Sequence, residues 1–519
     1  MACVQRRFVS VEGRRVHYRR AGSGPPLVML HGSPGSSEML HAEMGAAAEH
    51  FTVFALDTPG FGSSDALPGE VLTVPQLAEA TAKAMEALGL PPCPVYGTHT
   101  GALIAVELGA RHPDRVSGLV MEGLPLFTDD EIATLFEGYF EKMVADPLGG
   151  HLTETWMRFR DQHTWFPWTS RDVTRLNPVD RPTPEEIEHW VSMFYRSCAT
   201  YMPAYRAACF HGQRGYDAAV KLALPAVYLA SEEDMLFPHL DRLPPLKQDQ
   251  AIVRLPYDPP AKYAAIVAQA RALPQAAPFV DGKASGLAGC DPAVQFIDTP
   301  DGQVLIRCYG EAHSPAVILL HDAPGSGLLH ERLARTLAER QYIVVPDLPG
   351  CGESDDPQRA VLNAATDAVS TIADALGLTS FTAAGIGCGA AVAARLSDPR
   401  LREIVVEDAP HRDPEIAAQI APDLPLTAEG SHWIKAWLMV RDSEIYQPWF
   451  DGRVAAQRHD QGNFGGAWLH LRTTEIMRAR TSYHRLPREA WLADTAAALA
   501  AASAPVRAGP ISQLLGPQK

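Results

Sequence analysis

Along most of the chain, apolar positions come in short continuous runs separated by longer stretches of helical spacing. Residues 26–30, 51–56, the run ending in Val95 and Tyr96, 116–121 and 225–230 read as strands buried on both faces. Residues 74–88, the stretch from Thr100 to about 111, and 261–273 read as helices. An amino-terminal pair of runs, 8–11 and 16–18, flanks Glu12-Gly13 and reads as a hairpin. Strands alternating with helices predict an α/β fold, a mostly parallel, doubly wound sheet covered on both faces. After Glu122 the strand rhythm stops, and a helical, aromatic-rich insertion runs to about residue 216.

The same succession then returns. Residues 316–320 lead into His321-Asp322-Ala323-Pro324-Gly325, as 26–30 lead into His31-Gly32-Ser33-Pro34-Gly35. The turn Asp57-Thr58-Pro59-Gly60-Phe61-Gly62-Ser63-Ser64-Asp65 is answered by Asp347-Leu348-Pro349-Gly350-Cys351-Gly352-Glu353-Ser354-Asp355. From His31 to Gly97 is 66 positions, and from His321 to Gly385 is 64. Even the insertion repeats: His151, Trp156, Arg160, Asp161, Pro167 and Trp168 are matched by His432, Trp437, Arg441, Asp442, Pro448 and Trp449. This is a tandem duplication. We expect one domain over 1–280, with its insertion at about 124–216, and a second over 281–519, with its insertion at about 409–490. The Pro-, Gly- and Ala-rich stretch 274–291 suits the linker. In the second half only 505–507 can match the strand at 225–230, so that sheet is expected to lack its last strand and helix. An open edge invites pairing, and the first half or a second copy, giving a homodimer, is expected to cover it.

A formal net charge of −16, with no block of Lys or Arg, argues against nucleic acid and anionic membranes as partners. Eight dispersed cysteines, none in a C-x-x-C pair, indicate neither a disulfide framework nor a zinc site and suit a reducing cytosol. No apolar run reaches the roughly 18 to 20 residues of a membrane span, and the basic amino terminus has no apolar signal core. A cytoplasmic protein without metal or cofactor is therefore expected.

The chemistry gathers at Gly97-Thr98-His99-Thr100-Gly101, where a strand turns into a helix between two glycines. In the pattern G-x-S-x-G that turn is a nucleophile elbow, which pushes one side chain out above the sheet. Here the side chain is an imidazole; in the repeat, Gly385-Ile386-Gly387-Cys388-Gly389, it is absent. With the H-G-S-P-G loop, the D-x-P-G-x-G-x-S-D turn and the helical insertion after the sixth strand, the chain resembles the α/β-hydrolase superfamily in two copies. Its motifs are most similar to the capped branch holding epoxide hydrolases, haloalkane dehalogenases and C–C bond hydrolases. The resemblance covers nearly all of the first half and about four fifths of the second.

That resemblance implies a Ser, Asp or Cys at the elbow, an acid after the sixth or seventh strand, and a His after the eighth. No histidine lies between His239 and His313 and none follows His484, so neither half holds that triad. In the first half His99 stands in the nucleophile's place, with Glu122 and Asp234 as two acids able to orient it. The start of the helix beneath it is expected to keep the ring neutral, so that His99 serves as a general base. The resemblance places the amides of Ser33 and Thr100 as the oxyanion hole. His151, Trp156, Arg160 and Trp165 are candidate substrate contacts on the cap. Retention of the first three in the second half, whose elbow carries only Gly387, suits a structural role as well, and Arg160 with Asp161 suits an ion pair. The expected activity is cofactor-free hydrolysis of a small apolar ester, lactone, thioester or C–C bond. The alternatives are a lyase or isomerase reaction by proton abstraction at the same site, and an inactive binding or scaffold protein. The second half is expected to be inactive.

Overall fold

The computed structural model describes residues 4–256, 258–280 and 289–515. The chain divides into two compact units, 1–143 with 155–290, and 144–154 with 291–519.

The first unit holds an eight-stranded sheet of β1 (Gln5–Val11), β2 (Arg14–Ala21), β3 (Pro26–Leu30), β4 (Thr52–Leu56), β5 (Cys93–Thr98), β6 (Val116–Glu122), β7 (Ala226–Ser231) and β8 (Gln250–Leu255). Its strand order is β1-β2-β4-β3-β5-β6-β7-β8. β1 and β2 form the expected antiparallel hairpin, with Val11 opposite Arg14. Glu12 and Gly13 both have positive φ, 54° and 76°, the backbone that a two-residue hairpin turn requires. From β4 onward the pairing is parallel. Every residue of β3 and β4 is buried, which is why these strands read as unbroken apolar runs. β8 escapes such a reading because it lies at the sheet edge, and only Leu255 of its six residues is buried. Helices α1 (His41–Ala47), α2 (Val74–Ala87), α3 (Thr100–Arg111) and Pro259–Ala272 cover the sheet. One core layer packs Leu27, Met29, Val53, Tyr96, Val120 and Leu229 with Ile266 and Val267 of the last helix.

The second unit repeats this plan with β9 (Ala293–Thr299), β10 (Gly302–Tyr309), β11 (Ala316–Leu320), β12 (Tyr342–Pro346), β13 (Phe381–Ile386), β14 (Leu401–Glu407) and β15 (Val506–Ala508). Their order is β15-β14-β13-β11-β12-β10-β9. β15, the strand expected at 505–507, pairs parallel with β14 as β7 pairs with β6. Among the described residues no eighth strand follows it; a single helical turn, Ile511–Leu514, buries Ile511 instead.

Both units carry a helical insertion after the strand that follows the elbow strand. In the first, helices Asp129–Leu135, Gly150–Thr164, Pro184–Ser197 and Met202–Cys209 lie between β6 and β7, and the helix Gly150–Thr164 begins inside the 144–154 stretch that belongs to the second unit. In the second, helices Pro414–Gln419, Ser431–Ser443, Gly466–Arg478 and Arg485–Leu492 lie between β14 and β15. Matched antiparallel bridges, Trp165 with Leu176 and Tyr446 with Gln457, show that the insertions were duplicated with the sheets. No helix among the described residues is long and apolar enough to cross a membrane.

Candidate active site

His99 sits alone between β5 and α3, with φ 50° and ψ −110°. A non-glycine residue there costs on the order of 1–3 kcal/mol and persists only where its surroundings enforce it. They do so through close packing. A Cβ at Gly97 would lie 2.3 Å from the Gly101 carbonyl oxygen, and one at Gly101 would lie 2.1 Å from that of Leu30. The turn is therefore wedged against β3, and the residue between the glycines must point away from the sheet.

The imidazole meets Asp234, just beyond β7, with 2.9 Å between Nε2 and Oδ2. The other oxygen of Asp234 accepts the Leu236 amide at 2.8 Å. An ionised carboxylate only accepts, so Nε2 carries the proton and Nδ1 keeps its lone pair. Burial pushes the His99 pKa down, but the charge and hydrogen bond of Asp234, helped by the charge of Glu122, outweigh it and hold the pKa above its ordinary value. Against the expected influence of the helix start, the carboxylate raises the pKa of the ring. Burial raises Asp234, yet its charge and hydrogen-bond contacts with His99 bring it down to about 2. Gly123, φ 58°, makes room for the pair, since a Cβ there would lie 2.5 Å from His99 Cδ2 and 2.7 Å from Asp234 Oδ2.

Glu122 has other partners. Its carboxylate accepts the Tyr96 hydroxyl at 2.6 Å and pairs with the Lys262 ammonium. Of the two acids that the sequence offers, Asp234 holds the ring, and Glu122 acts on it only through its charge.

Ser33 follows β3, in a loop fixed by His31, whose Nδ1–H donates to the Gly32 carbonyl at 2.8 Å while Nε2 accepts the Thr58 amide at 3.0 Å. Among the described residues neither the Ser33 nor the Thr100 amide has an acceptor. The second unit shows where such amides point. Ala323 and Cys388, at the matching positions, both donate to Asp322 Oδ1 at 2.8 Å. Two amides converge there on one oxygen.

His99, Asp234, Glu122, Ser33 and Thr100 line one cavity of about 560 Å³ in the first unit. Its insertion side is aromatic: Phe127, Phe136, Tyr139, Phe166 and Trp190, with Gln162 and His163. Of the four contacts expected on the insertion, none lines it. His151 belongs to the second unit, where its Nε2 meets His470 Nδ1 at 3.1 Å, and burial lowers the two pKa values to about 4 and about 3. Trp156 is buried, only 1% exposed, like its counterpart Trp437. Trp165 stacks under the Arg171 guanidinium, and Arg171, not Arg160, pairs with Asp161. Adjacent residues of a helix face different ways, so Arg160 cannot meet Asp161. From this stretch the cavity is lined instead by Gln162, His163 and Phe166. Sequence reasoning also missed Glu43 on α1 and Lys262. Glu43 carried a signal in the duplication: the residue at the same place in the second copy, two after the start of its helix, is Leu333. No group of three or more His, Cys, Asp or Glu side chains among the described residues is disposed to hold a metal ion.

Two sheets of this topology, each with an elbow and an inserted helical segment, define an α/β-hydrolase fold. The model of the alpha/beta hydrolase fold family matches residues 25–258 and 315–437, and the chain belongs to that family. It is 37% identical over 183 residues to a pimeloyl-[acyl-carrier protein] methyl ester esterase of Aeromonas hydrophila, a match covering 34% of this chain and 65% of that protein. It is 26% identical over 186 residues to a zearalenone hydrolase of Bionectria ochroleuca, covering 32% of this chain and 69% of that one. The chain thus spans just under two thirds of the esterase's own length. Among solved structures it is similar to Epoxide Hydrolase A from Mycobacterium thermoresistibile, with 19% identity, a TM-score of 0.42, and coverage of 53% of this chain and all of that one.

Proposed function

We propose that the first unit is a cofactor-independent hydrolase of small, largely apolar esters or lactones, with His99 as a general base in place of a covalent nucleophile. The observation that carries this reading is the His99–Asp234 hydrogen bond at a strained elbow, on the wall of a cavity beside two unengaged amides. Asp234 holds the Nε2–H and leaves Nδ1 to take a proton from water. The water oxygen attacks the carbonyl carbon, and the oxygen that becomes negative accepts the Ser33 and Thr100 amides, which form the oxyanion hole. On collapse the leaving alkoxide takes the proton back from His99, so atoms and charge balance. The helical insertion acts as a cap that keeps bulk water out. The second unit, without a side chain at its elbow, takes no part in the chemistry. The family and the esterase and zearalenone hydrolase relatives support hydrolysis as the reaction class.

The test is His99→Ala, assayed on a panel of small aryl esters and lactones, with circular dichroism to follow folding. Loss of a positioned base costs about 10²- to 10⁴-fold, and a fall of that size in kcat/KM in a folded variant is expected. An unchanged rate sinks the proposal.

A further inference from the structure

Glu43 projects from the first turn of α1 into the cavity wall that also holds Glu122, Lys262 and Tyr263. Its Oε2 is buried and meets no donor among the described residues. Such an atom forfeits its hydration without compensation. The fold does not require it. At the same position of the second unit, Leu333 packs apolar against a core layer. A carboxyl kept on the wall of a ligand-sized cavity, where its duplicate does well with a leucine, offers that cavity an acceptor for a ligand's donor.

The ligand's chemistry follows from the surroundings. Ser33 and Thr100 offer donors and suit a carbonyl, whereas Glu43 offers an acceptor and suits a hydroxyl. An ammonium fits less well, because Lys262 stands close by with its own charge, and burial raises the Glu43 pKa to about 7, so that the carboxyl is partly neutral at neutral pH. Aromatic side chains from the insertion, among them Phe127, Phe136, Phe166 and Trp190, line its insertion side together with Gln162 and His163. We infer that the cavity selects an aromatic carbonyl compound that also bears a hydroxyl group, bound through that hydroxyl to Glu43. This rests on the hydrolase reading for the carbonyl, but not for the hydroxyl.

Binding of unreactive ketones separates the two. Acetophenone, 3-hydroxyacetophenone and 4-hydroxyacetophenone, with benzylamine as the cationic probe, are titrated against the full chain, its Glu43→Gln and Glu43→Leu variants, and His99→Ala. Quenching of tryptophan fluorescence reports binding, and thermal melts report folding. At least one hydroxylated ketone is expected to bind the unaltered protein about tenfold more tightly than acetophenone. That preference should shrink in Glu43→Gln, which keeps an acceptor, vanish in Glu43→Leu, whose stability the duplicate's leucine predicts, and persist in His99→Ala. An equal preference in Glu43→Leu, no preference in the unaltered protein, no binding of any ketone, or tighter binding of benzylamine than of every hydroxylated ketone overturns the inference. If the preference holds while His99→Ala keeps full esterase activity, the hydrolase reading falls and the hydroxyl site stands.

Discussion

The two elbows of this chain share a backbone and differ in what occupies it. His99 and Gly387 have nearly the same φ, 50° and 52°. In the first unit a side chain fills the elbow, and the two amides beside it are open. In the second, the elbow is bare and the matching amides are taken by the water-accessible carboxylate of Asp322, which stands where the first unit has Gly32. These changes exclude one another. A Cβ at Gly387 would fall 2.0 Å from Asp322 Oδ1, so a residue with a side chain at the elbow and a carboxylate over the amides cannot coexist. A third position completes the contrast: Gly123, which leaves space for the His99–Asp234 pair, corresponds to Asp408 after β14. The second elbow has no side chain, its two amides are taken by Asp322, and a residue with a Cβ stands where the first unit has Gly123.

Transplanting the plug should have the largest effect. In Gly32→Asp, a carboxylate set as in Asp322 would press on the Cβ of His99, and it would compete for the Ser33 and Thr100 amides. Each such donor is worth about 10²- to 10³-fold in rate, so kcat/KM is expected to fall by at least about 10²-fold, with a lower melting temperature. Adding His99→Gly should restore the melting temperature and leave activity absent. A double variant as unstable as Gly32→Asp alone would show that the two positions are not coupled as the duplicate implies.

Asp234→Asn tests what the first site has and the second lacks. Without the carboxylate, burial and the Lys262 charge act on His99 against the smaller influence of the Glu122 charge, and its pKa falls. With His99 as the proposed general base, kcat/KM of the unaltered protein should rise with pH through a midpoint above 6.5, and the variant's midpoint should move below 6.5. An amide also holds the tautomer poorly, so the plateau is expected to drop by about 10-fold or more. The sign for stability follows from the same shifts. His99, raised, contributes stability that is present below 6.5 and lost as pH rises through its folded value; Asp234, lowered, contributes stability that is present above 3.8 and lost as pH falls toward about 2. The melting-temperature gap between the two proteins should therefore be widest between pH 3.8 and 6.5. A gap that is flat across pH would show that the pair does not titrate as a unit.

How much of this is legible in the sequence depends on the range over which each interaction acts. The sheets, the elbow and the duplication are written in runs of apolar residues and glycine spacing, since every residue of β3 lies between two packed layers and must be apolar. Strand β8 was missed because an edge strand has little to bury. The absence of a downstream histidine is a fact of composition and was legible at once. The choice between Glu122 and Asp234 was not, since it depends on Lys262, 140 positions along the chain from Glu122, reaching back to claim that carboxylate. The insertion was legible as helical but not by face. Repeated His and Trp drew attention to Trp156, which both copies keep because it fills the insertion's own core, whereas the cavity is lined by residues that need not repeat. For the same reason Glu43 stands out only when the copies are compared and the second shows leucine.

The smallest effect, and the one that isolates the plug, concerns the second unit alone. Gly387→Ala puts a methyl group at a positive φ and against the Asp322 carboxylate. The backbone part costs on the order of 1–3 kcal/mol, and displacing the carboxylate adds the loss of two amide hydrogen bonds. In an Asp322→Ala background the clash is gone and only the backbone cost remains, so Gly387→Ala should destabilise that protein less than it does the original. Esterase activity should be unchanged in all three variants, because none touches the first unit's cavity. Equal destabilisation in both backgrounds would mean that the carboxylate yields at no cost, and that glycine is kept at the second elbow for its backbone alone.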